Sequence, residues 1–219
     1  MAEFLEEEKK IIIKIVYYGP ALSGKTTNLI KLHDIITPGQ CGDLMSLETR
    51  GDRTLFFDLL PLLARTQGEY RVKVKLFTVP GQVAHDATRK AVLSRTDGVV
   101  FIADSQQAHA INNFQSFENL EKNAGRVGLD METLPLVVQF NKRDLPVILS
   151  EKEVTQRWGP VGLPITFATA LKGQGVRPTF EAILKETYRC LDKKHHLKEH
   201  YRITEQDLLD ILPPSTQGP

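Results

Sequence analysis

The sequence predicts an α/β fold in which helices flank a doubly wound, mostly parallel sheet of about six strands. Two nearly continuous apolar runs, GVVFIAD at 98–104 and LPLVVQFN at 134–141, are typical of parallel strands that are covered on both faces. A third run, IIIKIVYYG at 11–19, leads directly into a segment with helical spacing of its apolar residues. Strand-like and helix-like segments alternate along the rest of the chain, which is the order that a parallel sheet requires.

The other elements follow from periodicity and from turn residues. Leu29, Leu32 and Ile36 share one face of the helix after the first strand, and TPG at 37–39 is expected to end it. A polar connection at 39–53 then leads into the apolar run LFFDLL. Further helices are expected at 83–94, 108–127, 151–158 and 176–191, with the short strand PITFAT before the last of them.

The segment YRVKVKLF at 70–77 alternates apolar and charged residues and predicts a strand with one face in water. Its charged residues, Arg71, Lys73 and Lys75, have two interpretations. They either contact an acidic partner or protect an edge strand from pairing with another chain. We favour the edge strand, because charged residues commonly protect strand edges in this way.

Composition excludes several classes of partner. The 219 residues carry a formal net charge of +1, so no overall basic field attracts nucleic acid or an anionic membrane. Cys41 and Cys190 lack the spacing of metal ligands, and so few cysteines indicate a reducing compartment, so we expect a cytoplasmic protein. No apolar run reaches the roughly 20 residues that span a bilayer, and no export or lipidation motif is present, so we expect no direct membrane insertion.

We expect one main domain at 1–191, with a short acidic lead, and an extension at 192–219 that holds a short helix and a flexible tail. Thr204 is the expected N-cap of that helix, and Pro213 and Pro214 end it. Because its residues 208–212 are mostly apolar, the helix either docks or frays. His196 and His200 are spaced as in some zinc sites, but without a further ligand a solvated helix end is favoured.

The turn after the first strand matches the phosphate-binding pattern G-x-x-x-x-G-K-[ST], with a strand before it and a helix after it. Glycines let the backbone N–H groups curl around phosphates, the helix N-terminus adds its positive end, and the lysine supplies a cation. The threonine hydroxyl at position 26 is suited to Mg²⁺. A chance glycine turn is disfavoured by the flanking elements. The predicted phosphate-binding residues are Gly19, Ala21, Leu22, Ser23, Gly24, Lys25, Thr26 and Thr27.

A second motif, NKRD at 141–144, follows the strand expected at the sheet centre and predicts a guanine site. Asp144 can accept hydrogen bonds from the N1–H and the amino group that guanine has and adenine lacks. An acceptor left unpaired by adenine costs about 1–3 kcal/mol. Asn141 and Lys142 complete the motif, and a backbone N–H at Thr169 or Ala170 is expected to meet the guanine carbonyl.

With these motifs the chain resembles the Ras-like small GTPases, and it is most similar to the bacterial MglA group. The similarity covers about 11–191 and rests on KIVYYGPALSGKTTNL, DRTLFFDLLPL, LFTVPGQV, DGVVFIADSQ and NKRDLP. It implies GTP/GDP and Mg²⁺ as ligands, and GTP hydrolysis in a polarity or gliding-motility switch. It also implies a roadblock-fold, MglB-like dimer as the activator, with downstream effectors, an exchange factor and recruitment to a cell pole through partners. The chain alone is expected to be monomeric.

The resemblance also implies a catalytic set. Thr54 matches the switch threonine that senses the γ-phosphate through Mg²⁺, and the neighbouring Arg53 matches an arginine that acts in cis once a partner positions its loop. Such an arginine is worth roughly 10³–10⁵ in rate. Gly81 can donate its N–H to the γ-phosphate, and Gln82 can orient the attacking water.

Two positions depart from the usual pattern of small GTPases. Thr78 replaces the aspartate that begins the TVPGQ motif, so Mg²⁺ lacks a negative partner beyond its direct ligands, and we expect looser Mg²⁺ binding. Ala21 stands where many relatives carry glycine, and its methyl group is expected to crowd Gln82 and Arg53 and to slow hydrolysis.

Two other functions remain open at this point. The chain is a GTP-binding scaffold with little intrinsic hydrolysis if the two departures abolish turnover. A P-loop kinase for a small acceptor is the second alternative, but it needs an acceptor pocket and gives no reason for NKRD or Gln82.

Overall fold

This computed structural model describes residues 2–36, 39–47, 57–64, 66, 68–80 and 86–214. The candidate residues Arg53, Thr54, Gly81 and Gln82 lie outside them. The strands are β1 (Glu3–Leu5), β2 (Lys10–Tyr18), β3 (Met45–Leu47), β4 (Phe57–Ala64), β5 (Arg71–Thr78), β6 (Gly98–Asp104), β7 (Leu136–Asn141) and β8 (Ile165–Phe167). The α-helices are α1 (Lys25–Ile35), α2 (Asp86–Leu93), α3 (Ala110–Arg126), α4 (Glu151–Trp158), α5 (Val176–His195), α6 (Leu197–Tyr201) and α7 (Glu205–Leu209).

The described strands form one sheet in the order β3-β4-β5-β2-β6-β7-β8, and β1 pairs with β2. Pairing is parallel from β5 through β2, β6 and β7 to β8, and antiparallel at β3-β4, β4-β5 and β1-β2. The predicted doubly wound, mostly parallel sheet is therefore confirmed. It has more strands than expected, because β1 and β3 are only three residues long and too short to show alternation.

The edge-strand interpretation of β5 is wrong. β5 pairs with β2 on one side and with β4 on the other, so its charged residues do not lie on a sheet edge. The predicted alternation is correct, since Val72, Val74 and Leu76 are buried.

Two buried cores lie on opposite faces of the sheet. One joins α1, α5 and the C-terminal helices to the face that carries Ile11, Ile13 and Ile15. The other joins α2, α3 and α4 to β6 and β7, with Val16 and Tyr18 at the end of β2. β6 and β7 are buried along their whole length, as expected for central parallel strands.

The C-terminal helix docks on its own chain. Thr204 caps α7, and its side chain and Asp207 form the reciprocal pair of a capping box. The Tyr188 hydroxyl donates to the Ile203 carbonyl at 3.1 Å, which ties α5 to the connection before α7. The apolar residues buried here are Leu197, Ile203, Leu208, Ile211 and Leu212.

The histidine pair shows no metal site. The His196 and His200 rings lie 5.5 Å apart, and Glu199 is within 3.6 Å of His196. Among the described residues, no group of three or more His, Cys, Asp or Glu side chains could hold a metal ion. Within the same residues, no helix has both the length and the apolar character to cross a membrane.

Candidate functional site

The loop between β2 and α1 lies against the carboxyl ends of β6 and β7. Gly19 has φ 141°, and a Cβ there would lie 2.2 Å from the Ile102 carbonyl oxygen. Gly24 has φ 100°, and a Cβ there would lie 2.2 Å from the Asn141 side-chain nitrogen. Both glycines are therefore required by close approach as well as by backbone conformation.

The other residues of this loop differ in exposure. Ala21, Leu22 and Thr26 are exposed, and Leu22 has a left-handed φ of 60°. Thr27 is half-buried in the first turn of α1. Ser23 is fully buried, and within the described part of the chain its hydroxyl has no hydrogen-bond partner.

Lys25 is a buried cation at the start of α1. Its Nζ donates to the carbonyls of Gly19 at 3.0 Å and Pro20 at 2.7 Å. Burial lowers the pKa of Lys25 to about 7; the charge of Arg89 adds to this effect, and Asp58 opposes it. An anionic group near Nζ would raise this pKa.

Asp58 in β4 is a site residue that the sequence analysis missed. Its Oδ2 accepts hydrogen bonds from the Thr26 hydroxyl at 2.5 Å and the Thr78 hydroxyl at 3.0 Å. The Thr78 hydroxyl in turn accepts the Asp58 N–H at 2.9 Å. The adjacent antiparallel strand thus places a carboxylate beside Thr78, which the sequence analysis did not anticipate, and the looser Mg²⁺ binding expected from Thr78 stays a prediction. The only signal in the sequence is one acidic residue inside the apolar run LFFDLL.

Asn141 joins the phosphate loop to the loop after β8. Its Nδ2 donates to the Ser23 carbonyl at 2.9 Å, and its Oδ1 accepts the Ala170 N–H at 2.9 Å. The Thr169 N–H donates to the Gln174 carbonyl at 3.0 Å. Both N–H groups therefore have partners inside the protein, and the expected contact of one of them with a guanine carbonyl stays a prediction.

The remaining residues of NKRD have different environments. Asp144 is exposed, whereas the Lys142 ammonium donates to the buried Asp104 carboxylate at 2.7 Å. Lys142 has a left-handed φ of 65°. Asp104 was not predicted, although it ends the apolar run of β6 as a lone carboxylate.

A buried amide network fixes α1 to the sheet beneath these loops. Asn28 donates to the Gly24 carbonyl and to Gln139, each at 2.9 Å. Gln139 Nε2 donates back to Asn28 Oδ1 at 2.9 Å and to the Thr179 hydroxyl at 2.8 Å. Neither amide was predicted, because a glutamine inside an apolar strand gives no sign of its partners.

Arg89 in α2 is almost fully buried beside the segment that precedes Gly81. Its Nε donates to the Pro80 carbonyl at 2.9 Å, and its Nη1 donates to Asn119 at 2.7 Å. The guanidinium carbon lies 5.6 Å from the centre of the Tyr18 ring. The arginine therefore fixes the position of the chain at Pro80.

The fold, the glycine-lined loop before α1 and the NKRD loop beside it define a P-loop protein of the small GTPase class. No protein-family model matches the chain. The chain is 44% identical over 177 residues to the mutual gliding-motility protein MglA of Myxococcus xanthus (strain DK1622), which covers 81% of this chain and 91% of that protein. The chain belongs to the MglA family of small GTPases.

Proposed function

We propose that the protein is a switch that binds and hydrolyses GTP and controls cell polarity or gliding motility through partners that recognise its GTP state. Similarity to a gliding-motility protein supports the process. The observation that carries the proposal is the double hydrogen bond of Asn141, which holds the phosphate loop and the loop after β8 together.

The phosphate groups would lie at the loop 19–27. The residues fit them, since the glycines leave no room for a Cβ, the Ser23 hydroxyl is buried without a described partner, and Lys25 is buried with a lowered pKa. Bound Mg²⁺ would neutralise charge on the phosphate oxygens. Thr26 and Thr54 are its proposed ligands, and Asp58 and Thr78 are proposed to hold the hydroxyl of Thr26 in place.

The base would be read by Asp144, which is exposed at the mouth of the NKRD loop. Its carboxylate would accept the two donors on the guanine edge. The half-buried Lys142 is paired with the buried Asp104, and this pair would help to keep Lys142, two residues before Asp144, in its left-handed conformation. Leu171, 71% exposed in the loop after β8, offers an apolar surface near the base.

For hydrolysis, Gln82 is proposed to orient water, Gly81 to donate its N–H to the γ-phosphate and Arg53 to neutralise transition-state charge when a partner positions its loop. Arg89 would act as a positioning residue, because it holds Pro80 immediately before Gly81. Contacts with the γ-phosphate would order the loops around Thr54 and Gln82, and hydrolysis would release them, as in other GTPase switches.

The proposed partners are a roadblock-fold, MglB-like dimer, effectors and an exchange factor. The protein is proposed to be cytoplasmic and monomeric by itself, and to reach a cell pole through those partners. The second candidate, a GTP-holding scaffold with little hydrolysis, is favoured by the exposed Ala21 methyl on the phosphate loop.

One experiment tests the guanine assignment. Asp144→Ala should weaken GTP binding about 5- to 150-fold, because an interaction of about 1–3 kcal/mol is lost, and should leave ATP binding weak. Asp144→Asn should instead favour xanthosine triphosphate, whose C2 carbonyl accepts the new amide N–H. Titration with fluorescent nucleotides measures both effects. Equal affinity of the native protein for GTP and ATP would reject the proposal.

A second experiment separates the switch from the scaffold. Single-turnover phosphate release is measured for the native protein and for Ala21→Gly, each with and without a roadblock-fold activator. The switch requires release that the activator accelerates, and Ala21→Gly should raise the basal rate about two- to fivefold, or about 0.5–1 kcal/mol. No release in any of the four assays supports the scaffold.

A further inference from the structure

The outer face of β5 and its neighbouring strands carries a group of cations. Register places Lys10 beside Arg71 and Lys14 beside Lys75. These cations point away from the core side of the sheet, on which Val72 and Val74 are buried. We call the surface of Lys10, Lys14, Arg71, Lys73 and Lys75 the basic sheet face.

This face is not covered by the described helices. On this side of the sheet, the buried core of α2, α3 and α4 takes only Val16 and Tyr18 from β2 and borders Phe77 in β5. Apolar residues lie between the cations. Ile12 is paired with Lys73, and Leu63 is paired with Lys73 from the other side. Both apolar residues are half-buried and belong to neither core.

Most of the cations have no ion partner inside the described chain. None of Arg71, Lys73 and Lys75 lies within 4.0 Å of a carboxylate oxygen of a described residue. Lys14 differs, because its Nζ donates to the Ser94 carbonyl at 2.9 Å and lies 5.0 Å from the centre of the Phe77 ring. Burial, and then the charges of Lys75 and Arg95, lower the pKa of Lys14, whereas Asp97 opposes this.

A depression of about 480 Å³ crosses the basic sheet face. Its lining includes Lys10, Arg71 and Lys73, the carboxylate of Glu8, which pairs with Lys10, and Pro61 and Leu63 of β4. The groove thus places cations beside apolar walls, so a ligand could gain both charge complementarity and apolar contact there.

We propose that the basic sheet face binds an extended acidic segment of a partner protein. Alternate residues of a strand are roughly 7 Å apart, so Arg71, Lys73 and Lys75 have the spacing of alternate carboxylates in an extended peptide. This inference does not rest on the proposed GTPase cycle.

A membrane surface or a nucleic acid fits this face less well. The turn at 6–9 carries Glu6, Glu7 and Glu8 at one end of the face, and Glu69 pairs with Lys9 beside it. Glu8 lines the groove and pairs with Lys10 at 3.2 Å, so a broad anionic surface would meet these carboxylates. A segment that follows β5 away from this turn would meet Lys73 and Lys75 beyond them. The net charge of +1 likewise gives no long-range attraction for a polyanion.

The test uses a fluorescein-labelled peptide of alternating glutamate and threonine that is as long as β5, which has 8 residues. A peptide of the same composition with its glutamates in one block is the matched ligand control. Anisotropy is measured at about 50 and about 200 mM salt with the full chain. We expect the alternating peptide to bind more tightly than the block peptide and to weaken with salt.

Double variants of the protein test whether the basic sheet face is the binding surface, and a charge reversal elsewhere is the control. Lys73→Glu with Lys75→Glu should weaken binding at least about tenfold, and the milder Lys73→Gln with Lys75→Gln should weaken it less. Lys193→Glu with Lys194→Glu changes the net charge equally at exposed positions of α5 and should leave binding unchanged. Thermal unfolding and GTP affinity should match the native protein in every variant.

Four results would overturn the proposal. They are no binding of the alternating peptide at about 1 mM, equal binding of the block peptide, equal weakening by the two charge reversals, and tighter binding of a single-stranded oligonucleotide or of phosphatidylserine vesicles than of the peptide. The last result would show that the basic sheet face binds a nucleic acid or a membrane and not a protein segment.

Discussion

The two halves of the sheet hold the candidate site in different ways. On the side of β6 and β7, both strands are fully buried, and the amides of Asn28 and Gln139 satisfy each other. On the side of β4 and β5, one face of β5 is partly exposed to solvent. The contact with the site there is the Asp58 carboxylate, which accepts hydrogen bonds from two hydroxyls. A buried amide network whose members satisfy one another favours one arrangement, whereas the hydrogen bonds of the buried Asp58 carboxylate depend on its charge.

The comparison teaches where a nucleotide could change the structure. The NKRD loop is tied to the β6-β7 half through Asn141, so we expect its geometry to be the same with GDP and GTP. The β4-β5 half reaches the candidate site through Asp58 and Thr78, which hydrogen-bond with each other, and Asp58 also accepts from Thr26 of α1. Because these bonds involve a carboxylate, we expect them to change when Mg²⁺ binds.

The largest expected effect is a loss of unfolding free energy when α7, which packs on the core beneath β4 and β5, loses a buried side chain. Leu208 is fully buried, and Leu208→Ala should lower the free energy of unfolding by about 2–5 kcal/mol. Leu209 is half-buried in the same helix and is the matched control. Leu209→Ala should lower the free energy of unfolding by less than Leu208→Ala does. Urea denaturation measures both. Equal losses would mean that α7 is not docked as described.

The next largest effect is expected from a substitution in the amide network of the β6-β7 half. Gln139→Leu removes the hydrogen bonds that Gln139 makes with Asn28 and Thr179, so we expect a loss of about 1–3 kcal/mol in unfolding free energy. The double variant with Asn28→Leu should lose less than the sum of the single variants, because both ends of the shared bonds are removed. Additive losses in urea denaturation would show that the two amides act independently.

Asp58 tests the charged half. Asp58→Asn should weaken Mg²⁺ binding to the GDP-bound protein about tenfold, because the carboxylate beside Thr26 is lost. Thr78→Asp should not strengthen it, since the new carboxylate would stand against Asp58. Calorimetric titration with MgCl₂ measures both variants. Unchanged Mg²⁺ affinity in Asp58→Asn, or a gain in Thr78→Asp, would restore the expectation of a site that lacks a carboxylate.

The smallest effect is the linkage of nucleotide binding to protons. With its pKa lowered to about 7, Lys25 is mostly neutral above pH 8 in the free protein, and bound phosphate should raise this pKa. Binding should then take up close to one proton near pH 8 and little below pH 6. Calorimetry in buffers of different ionisation enthalpy measures the uptake, and Lys25→Met is the control. Equal uptake at both pH values would exclude Lys25 as its source.

The same residue gives a stability prediction of definite sign. Burial disfavours charged Lys25 in the free folded state, so the unfolded chain binds more protons between its ordinary pKa near 10.5 and about 7. The contribution of Lys25 to stability therefore falls as the pH decreases through this window and is constant below it.

Much of the fold was predictable from local patterns. The buried strands β6 and β7 were predicted from their continuous apolar runs. The Thr204 cap was predicted because threonine, a common N-cap residue, stands before an apolar helical segment. The glycine loop was predictable because its geometry depends on residues within one turn. Short strands escaped detection, since β1 and β3 have three residues each.

The site was only partly predictable, because its decisive contacts join distant segments. Asp58 and Thr78 are 20 positions apart and meet only when β4 and β5 pair. The contacts of the Thr169 and Ala170 N–H groups with Gln174 and Asn141 could not be inferred from the sequence either, since they join the loop after β8 to other segments.

The sequence alone determined the doubly wound class, the phosphate loop and the family, because periodicity, glycine turns and linear motifs are properties of neighbouring residues. Tertiary structure alone decided that β5 is an interior strand, that the Asp58 carboxylate lies beside Thr26 and Thr78, and that the final helix docks. Strand order and side-chain pairing are set by which surfaces bury one another, and no local pattern encodes that choice.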